Sequence, residues 1–458
     1  MSFVHEVWRG DGLFARALRS SAWAGMGHIL SQIIRLASNL VLTRLLFPEA
    51  FGLMSLVTVL MVGVAMLSDV GIGISVAQSK RGDDPAFLDT AWTIQIIRGF
   101  LLFCLIGVVA WPVSLFYAEP ALLYLLPVAS ISVMIAGFNP MRVETAGRHL
   151  LLGRVTLLDL VTQVATIVAT MLFALLYPSV WALIAGLVLG SAIRLALSYL
   201  MIPGEPSRFH IDRSAAWEII HFGKWIVPST AFGFILGQGD RLVLGVYLSL
   251  EMLGIYNIGQ FLAAAPLMLA TAITGKVLVP VYRQYRDRPS PQSARKLRFM
   301  RFALTGSVMA MLFAMALIGP FAVSFLYDER YQRASAIAVI VALVCLPQAL
   351  GLSYDRGALA AGDSRNFFWV VAFRGTVQIV AFVVGAETAG LIGALCAQGI
   401  GLMVGHLSLI WLARKHGVWD ALHDIVFAAL AVILGALAIY ANWNLLQDFA
   451  LVHGGMSG

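Results

Sequence analysis

The sequence predicts an all-α integral membrane protein made of two six-helix bundles related by a parallel internal repeat, with one additional C-terminal helix. Three observations support this fold class: the composition, the spacing of apolar segments and a repeated helix corner. Hydrophobic residues make up 60% of the chain, charged residues only 12%, and the mean hydropathy is +0.86. A typical soluble domain has about a quarter charged residues. Most of this chain is therefore expected to lie in lipid.

Apolar segments long enough to cross a bilayer, for which a helix needs roughly 20 residues, occur thirteen times. They lie at residues 20–46, 51–77, 86–111, 119–138, 152–177, 180–203, 219–247, 253–281, 300–326, 335–353, 366–386, 389–412 and 422–441. The longest hydrophilic connection, residues 283–299, is too short for a separate catalytic domain. The sequence thus predicts about thirteen transmembrane helices.

Basic residues concentrate in alternate connections between these segments. One set of connections holds most of them, whereas the opposite set holds only Arg44, Arg330 and Arg333. The positive-inside rule places the richer set in the cytoplasm. We therefore expect a cytoplasmic N-terminus and, with an odd number of helices, a C-terminus on the opposite side. The net charge of +7 then reflects topology, and membrane lipids are expected partners while nucleic acid is not, because no single soluble face gathers the basic residues.

Cysteines and sequence motifs give no sign of a chemical centre. Cys104, Cys345 and Cys396 lie in apolar runs at unrelated spacings, a pattern that indicates neither a disulfide framework nor a metal site. The N-terminus lacks the short apolar core and cleavage site of a signal peptide. No phosphate-binding loop, zinc-protease motif or nucleophile elbow is present. We expect no enzyme activity, no metal and no cofactor.

A repeated corner supports the two-bundle prediction. Residues 40–55 and 242–257 share six identities in sixteen positions, including Glu49 with Glu251 and Gly52 with Gly254. Six predicted helices separate the two copies, so both face the same way across the membrane, as in transporters with parallel repeats. We expect an N-terminal bundle at 1–207, a second bundle at 208–413, and an extra helix with an external tail at 414–458.

Polar residues deep in the first apolar segment form a stripe. His28, Gln32, Arg35 and Asn39 recur at steps of four, three and four, and so share one helix face. Ionisable side chains at membrane depth are costly and normally face a bundle interior or a wet cavity. We expect this stripe to line a cavity, and hydrogen bonding between helices is the alternative.

Further polar residues lie at depth in other segments. Arg98 is the second strong candidate, and Arg374 with Gln378 forms a shorter stripe, although Arg194 and Arg374 are close enough to the cytoplasmic headgroups to reach them. Three acids, Asp69, Asp159 and Asp240, have two alternative roles. They either neutralise the arginines or serve as coupling sites that bind H⁺ or Na⁺. Asp240 and Arg241 are not expected to pair, because adjacent helical residues do not face each other.

Two stretches resemble a known family: TRLLFPEAFGLMSLVTVLMVGVAMLSDVGIGISVAQ at 43–78 and FGKWIVPSTAFGFILGQGDRLVLGVYLSLEMLGIYNIG at 222–259. They are similar to bacterial polysaccharide transporters of the Wzx type, whose superfamily also contains multidrug/toxin extruders and the lipid II flippase. The resemblance extends from the first to the twelfth segment. It implies a flippase that moves an undecaprenyl-diphosphate-linked oligosaccharide from the cytoplasmic to the periplasmic leaflet of the inner membrane, for exopolysaccharide, O-antigen or capsule synthesis. It also implies a polysaccharide polymerase and a chain-length regulator as partners.

The resemblance, together with the deep polar residues, gives a hypothesis for the site. Arginines without fixed acid partners would suit a diphosphate, which they bind through charge-assisted contacts. We assign Arg35, Arg98 and Arg374 to the diphosphate or acidic sugars, and we expect alternating access of the two bundles. The sugar hydroxyls are assigned to His28, Gln32, Asn39 and Gln378.

Three alternatives stay open: a cation-coupled small-molecule exporter, a membrane polymerase or ligase of lipid-linked sugars, and a structural scaffold.

Overall fold

The computed structural model describes residues 13–69, 71–149, 152–287, 290–354 and 363–454. This part of the chain is almost entirely helical, at 86%, and contains no strand. The chain forms two compact units, Met1–Ala231 and Phe232–Gly458. The divisions predicted at 207/208 and 413/414 follow from the helix count and stay predictions.

The first unit contains eight helices and the first half of a ninth. They are α1 (Leu13–Leu45), α2 (Pro48–Leu67), α3 (Ile72–Gln78), α4 (Pro85–Phe116), α5 (Leu122–Gly137), α6 (Arg142–Arg148), α7 (Leu152–Leu176), α8 (Val180–Met201) and α9 (Arg213–Tyr247).

The second unit contains the end of α9 and seven further helices. They are α10 (Leu250–Asp287), α11 (Pro291–Leu326), α12 (Ala334–Val344), α13 (Leu346–Gly351), α14 (Ser364–Lys415), α15 (Ala421–Ala441) and α16 (Trp443–Gly454). A short 3₁₀ turn, Glu329–Tyr331, precedes α12.

The all-α membrane fold class is confirmed. Within the described ranges, nine helices are long and apolar enough to cross a membrane, which makes the chain a multi-pass membrane protein. Nine is fewer than thirteen partly because α14 covers two predicted segments and α5 has only 16 residues. The count of thirteen and the internal repeat stay predictions. Both copies of the repeated corner nevertheless lie at the break between two helices, α1 and α2 in one case and α9 and α10 in the other.

The second predicted segment, 51–77, is broken in the structure. Helix α2 ends at Leu67, and α3 begins at Ile72 after Gly71, whose φ of 65° is in the left-handed region that glycine tolerates. Asp69 accepts a hydrogen bond from the Gly71 amide at 2.9 Å. The expectation that Asp69 lies inside a continuous helix is therefore wrong, because it stabilises the turn between two helices.

Small residues set the distance between helices in the first unit. A Cβ atom on Gly186 or Gly190 of α8 would overlap Thr170 or Thr166 of α7. On α4, a Cβ atom on Gly99 would lie 3.3 Å from the Cα atom of Gly137 at the end of α5. Such small residues let helix backbones approach closely in a membrane. They leave α4, α5, α7 and α8 tightly paired around a shared space.

The connection before α4 is fixed by a polar cluster outside the candidate spans. Arg81 donates to Asp84 at 2.9 Å and to Asp212, just before α9, at 2.8 Å. Asp84 in turn caps α4 by accepting from the Ala86 amide. Hydrogen bonding from Arg81 lowers the pKa of Asp212 to about 2. The start of α4 is thereby attached to the start of α9.

Helix α14 contains a sharp reversal between the two predicted segments 366–386 and 389–412. Ala389 and Gly390 have non-helical backbone angles, and Gly390 has a φ of 57°. After this turn the two arms touch, so that a Cβ atom on Gly385 would overlap the carbonyl group of Gly393. Glycine is needed at residue 385 because two backbones occupy the space of a side chain.

We expect Gly385→Ala to lower the apparent melting temperature of the purified protein, because overpacking of this kind costs about 1–3 kcal/mol. The matched control is Gly435→Ala in α15, where no atom lies within 4 Å of an added Cβ. Alanine favours a helix by roughly 0.5–1 kcal/mol over glycine, so this variant should be equally stable or more stable. Equal melting temperatures for the two variants would contradict the close approach at Gly385.

Candidate functional site

A cavity of about 560 Å³ lies within the first unit, lined mainly by α4, α5, α7 and α8. Its volume is within the range of small-ligand sites, roughly 300–1,000 Å³. The polar side chains in its lining belong to Gln95, Arg98, Ser132, Thr162, Thr166, Ser191 and Arg194. Two arginines therefore share one cavity inside a membrane-spanning unit.

Arg98 of α4 is held by the end of α2. Its Nη2 donates to the Ala65 carbonyl at 2.6 Å and its Nε to the Ser68 hydroxyl at 3.1 Å. The last carbonyls of a helix have no partner within the helix and carry partial negative charge, so the break after Leu67 creates a cation-binding position. The break between α2 and α3 thus provides Arg98 with a hydrogen-bond acceptor, and Arg98 in turn satisfies a carbonyl at the end of α2.

Asp69 also lies beside Arg98, with 3.7 Å between Oδ1 and Nη1. Of the two roles predicted for Asp69, this position agrees with neutralisation of an arginine. The pair is loose, since 3.7 Å exceeds hydrogen-bonding distance. The side chains of Arg98 and Asp69 are 25% and 40% exposed. Arg98 consequently faces both its partners and the cavity.

Arg194 of α8 is the charged lining residue that the sequence did not assign to the site. Its Nη1 donates to Asp159 of α7 at 2.6 Å, and both side chains are partly exposed. Along its own helix Arg194 is close enough to the cytoplasmic headgroups to reach them, but the packing of neighbouring helices places it in the cavity lining. Its position close after Gly186 and Gly190 was the available signal, since small residues mark the helix face that packs inward.

The other polar side chains of the cavity mostly satisfy the backbone. The Gln95 amide donates to the Gly137 and Asn139 carbonyls at 2.9 and 3.1 Å, where α5 ends. Ser132 and Ser191 bond to carbonyls of their own helices. Thr162 differs, because its buried hydroxyl has no hydrogen-bond partner in the described part of the chain. Such a group is costly unless water or a ligand reaches it.

The predicted stripe of α1 lies elsewhere in the first unit. Helix α1 packs on α7 through Ser31, which donates to Gln163 at 2.6 Å and whose carbonyl accepts from the Gln163 amide at 3.0 Å. His28, Gln32 and Asn39 are half-buried, and Arg35 is exposed. The described lining of the Arg98 cavity includes none of these four residues. The Nε2 atom of His28 is buried and has no hydrogen-bond partner among the described residues.

The remaining predicted residues belong to the second unit. Arg374 and Gln378 are one turn apart on α14, and Gln378 is buried. Asp240 is also buried and accepts a hydrogen bond from the Tyr256 hydroxyl at 2.7 Å. Its neighbour Arg241 donates instead to Asn257 at 2.9 Å and to Gln238. As expected for adjacent residues, Asp240 and Arg241 do not form a pair in the structure.

Access of water to the cavity can be measured by cysteine labelling. We expect Ser191→Cys, in a background without the three native cysteines, to react readily with a small water-soluble thiol reagent. The control is Ser198→Cys on the same helix, because Ser198 is completely buried and bonds only to the Leu195 carbonyl of its own helix. It should react at least about tenfold more slowly, since only an accessible thiolate reacts. Labelling of Ser191→Cys as slow as that of a buried control would show that the cavity is closed to water.

Comparison with known proteins places this geometry in a family. The family model described as polysaccharide biosynthesis protein matches residues 41–336. WzxC, a lipopolysaccharide biosynthesis protein of Escherichia coli K12, is 22% identical over 82% of this chain and 77% of its own. ExoT, a succinoglycan biosynthesis transport protein of Rhizobium meliloti, is 21% identical over 92% and 85%.

Solved structures agree on the fold. The inward closed form of the lipid II flippase MurJ has a TM-score of 0.66 at 13% identity, and the alignment covers 93% of this chain and 97% of that one. An inward-facing multidrug transporter of the MATE family has a TM-score of 0.61 at 15% identity, covering 84% and 94%. The resemblance seen in residues 43–78 and 222–259 is confirmed, and the chain belongs to the polysaccharide biosynthesis protein family.

Proposed function

We propose that this protein is a flippase that moves an undecaprenyl-diphosphate-linked oligosaccharide between the leaflets of a bacterial inner membrane, for the synthesis of a surface or secreted polysaccharide. The observation that supports the proposal most directly is the arginine-containing cavity within a membrane-spanning unit of a chain from this family. The named relatives include biosynthesis and transport proteins for polysaccharides. Transport, and not catalysis, is the proposed activity.

The cavity suits the anionic headgroup of such a lipid. Guanidinium groups bind phosphate oxygens through two parallel hydrogen bonds, which are stronger than neutral ones. Arg98 and Arg194 supply two such groups around about 560 Å³, a volume that fits the diphosphate and the first sugar but not a complete oligosaccharide. The unpartnered hydroxyl of Thr162 would serve a sugar hydroxyl, while the lipid tail stays in the bilayer.

In the empty cavity, the carboxylates of Asp69 and Asp159 would provide the negative charge that the diphosphate provides when it is bound. Each acid holds one arginine of the cavity, so the empty cavity carries little uncompensated charge. An arriving diphosphate brings more negative charge than one carboxylate and displaces it from the guanidinium. Reforming the pairs would favour release on the other side. Binding of H⁺ or Na⁺ to a displaced carboxylate would couple this exchange to an ion gradient.

Orientation follows the distribution of basic residues. The N-terminus would lie in the cytoplasm, the C-terminus in the periplasm, and transport would run outward. A polysaccharide polymerase and a chain-length regulator would use the product. The assignments of His28, Gln32, Arg35, Asn39, Arg374 and Gln378 to the substrate, of Asp240 to coupling and of alternating access to the mechanism are parts of this proposal.

A cation-coupled drug exporter shares the fold and is the second candidate. Such an exporter would be expected to line its cavity with acids, which attract organic cations. The described lining of this cavity contains Arg98 and Arg194 and no aspartate or glutamate. The two guanidinium groups of the lining therefore favour an anionic substrate once that substrate displaces Asp69 and Asp159.

Arg98→Gln and Arg194→Gln should each reduce polysaccharide export at least about tenfold. The reason is that hydrogen bonds to a charged group contribute about 1.5–3 kcal/mol. The measurement is surface polysaccharide together with cytoplasmic lipid-linked oligosaccharide in a deletion strain carrying each variant. The control is Arg154→Gln, an exposed position on α7 outside this cavity. Normal export by both cavity variants, at normal protein levels in the membrane, would reject the proposed site.

Arg35→Ala tests the predicted stripe of α1 separately. It should leave the protein inserted and folded but abolish delivery of the lipid-linked sugar to the outer leaflet. Arg44→Ala is the control, because Arg44 is exposed in the last turn of the same helix. Retained flipping by Arg35→Ala would reject the role of Arg35 without affecting the assignment of Arg98 and Arg194.

A further inference from the structure

A second charged cavity lies in the other unit, far along the sequence from the site described above. It has a volume of about 360 Å³ and is bounded by the first three turns of α11 and by residues 417–420, which connect α14 to α15. Its charged lining residues are Arg295, Arg298, Arg301 and Asp420. We refer to it as the Arg301 cavity.

Arg301 is an unusually buried cation, with only 3% of its surface exposed. Its Nε and Nη2 donate to the Tyr282 hydroxyl at 3.1 and 2.7 Å. The guanidinium also lies over the rings of Tyr282 and Tyr354, at 5.2 and 5.0 Å from their centroids. Among the described residues, no carboxylate pairs with the Arg301 guanidinium. None forms a hydrogen bond with its Nη1. Cation–π contacts offset only part of the cost of burying a charge.

The other arginines near the Arg301 cavity do not neutralise its positive charge. Arg298 donates to Asp420 at 2.6 Å, and Asp420 is the only acid in the described lining. Arg295 is exposed and has no ion pair within the described ranges. Arg414 adds a further positive charge beside the cavity, because its guanidinium lies 3.9 Å from the ring centroid of Trp419. Among the described residues, Arg295 and Arg301 therefore line this cavity without an ion pair.

The cavity also lies where a membrane surface is expected. Helices α11 and α15 are both candidate membrane spans, and the cavity is formed at the first turns of α11 and by the residues just before α15. Phe299 and Leu422, near these helix starts, are 73% and 52% exposed, as is usual for side chains that contact lipid. The positive-inside rule assigns this end to the cytoplasm, where anionic headgroups attract basic residues.

We propose that the Arg301 cavity binds a phosphate group, presented either by the headgroup of an anionic lipid or by a soluble phosphate compound. Arg301 would use its Nη1, for which the described residues provide no partner, and Arg295 its exposed guanidinium to bind the phosphate oxygens. The Arg298–Asp420 pair borders the site. The exposed apolar residues at the helix starts favour the lipid as the source. This site is independent of the proposed flippase site, since its residues all belong to the second unit.

The test measures binding by the full-length purified protein. Native mass spectrometry and thermal unfolding would be recorded with added phosphatidylglycerol, with zwitterionic phosphatidylcholine, and with inorganic phosphate in lipid-depleted detergent. We expect wild type to retain phosphatidylglycerol and to be stabilised by it more than by phosphatidylcholine. Arg295→Gln should weaken this binding about fivefold, which corresponds to the attraction of one basic residue near an anionic surface.

The matched control is Lys296→Gln, because Lys296 is exposed on the same turn of α11 but is absent from the described lining of the cavity. It should change binding less than twofold. Arg301→Lys keeps the charge but loses the planar fork, and should also weaken binding. Should it fail to fold, Arg295→Gln still decides the matter.

Three outcomes are informative. Stabilisation by inorganic phosphate that equals the effect of phosphatidylglycerol, and that is lost in Arg295→Gln, supports the phosphate site and identifies a soluble source. Equal losses in Arg295→Gln and Lys296→Gln would overturn the proposal, because a diffuse surface charge would then explain binding. No preference for phosphatidylglycerol over phosphatidylcholine, together with no effect of phosphate, would overturn it as well. None of these three results bears on flippase activity, which is measured separately.

Discussion

The cost of placing an ionised side chain in hydrocarbon governs how this protein arranges its polar residues. A charge at membrane depth needs partners or water, and Arg98, Arg194 and Arg301 meet this requirement in different ways. Arg98 uses the free carbonyls at the end of α2 together with Asp69, and Arg194 uses Asp159. Arg301 uses two tyrosine rings and a hydroxyl. The partner of each arginine determines which of its N–H groups remain available to bind a ligand.

The broken second helix shows how local backbone chemistry produces the cavity. Gly71 permits the left-handed turn and Asp69 stabilises it, so α2 ends within the unit and its last carbonyls are available to Arg98. A continuous helix would have used those carbonyls internally, and Arg98 would have needed another partner. The glycine and threonine contacts of α7 with α8 then fix the opposite wall, where Arg194 lies. The cavity depends on both features.

The acid partners of the cavity arginines also affect how an anion would be bound and released. A cavity lined with unpaired arginines would bind a diphosphate tightly and release it slowly. In the structure each arginine of this cavity has an acid beside it, Asp69 for Arg98 and Asp159 for Arg194. Under the proposed function, binding and release of the diphosphate would be an exchange between the carboxylate and the substrate. The loose 3.7 Å pair of Arg98 and the direct 2.6 Å pair of Arg194 suggest unequal contributions to that exchange. Membership of the polysaccharide biosynthesis family gives this chemistry its biological setting.

The sequence by itself determined that most of the chain is apolar, helical and in lipid, because these properties depend on local composition and on the length of apolar segments. It also identified the α1 stripe, since helical periodicity is a local property, and Arg98 as a deep charge. Only the tertiary structure decided that Arg98 and Arg194 share a cavity, that Asp69 lies in a helix break, and that Arg35 does not line this space. These contacts join residues on different helices, and their formation depends on packing of small side chains across the membrane. No pattern within one helix reports which neighbour it will meet.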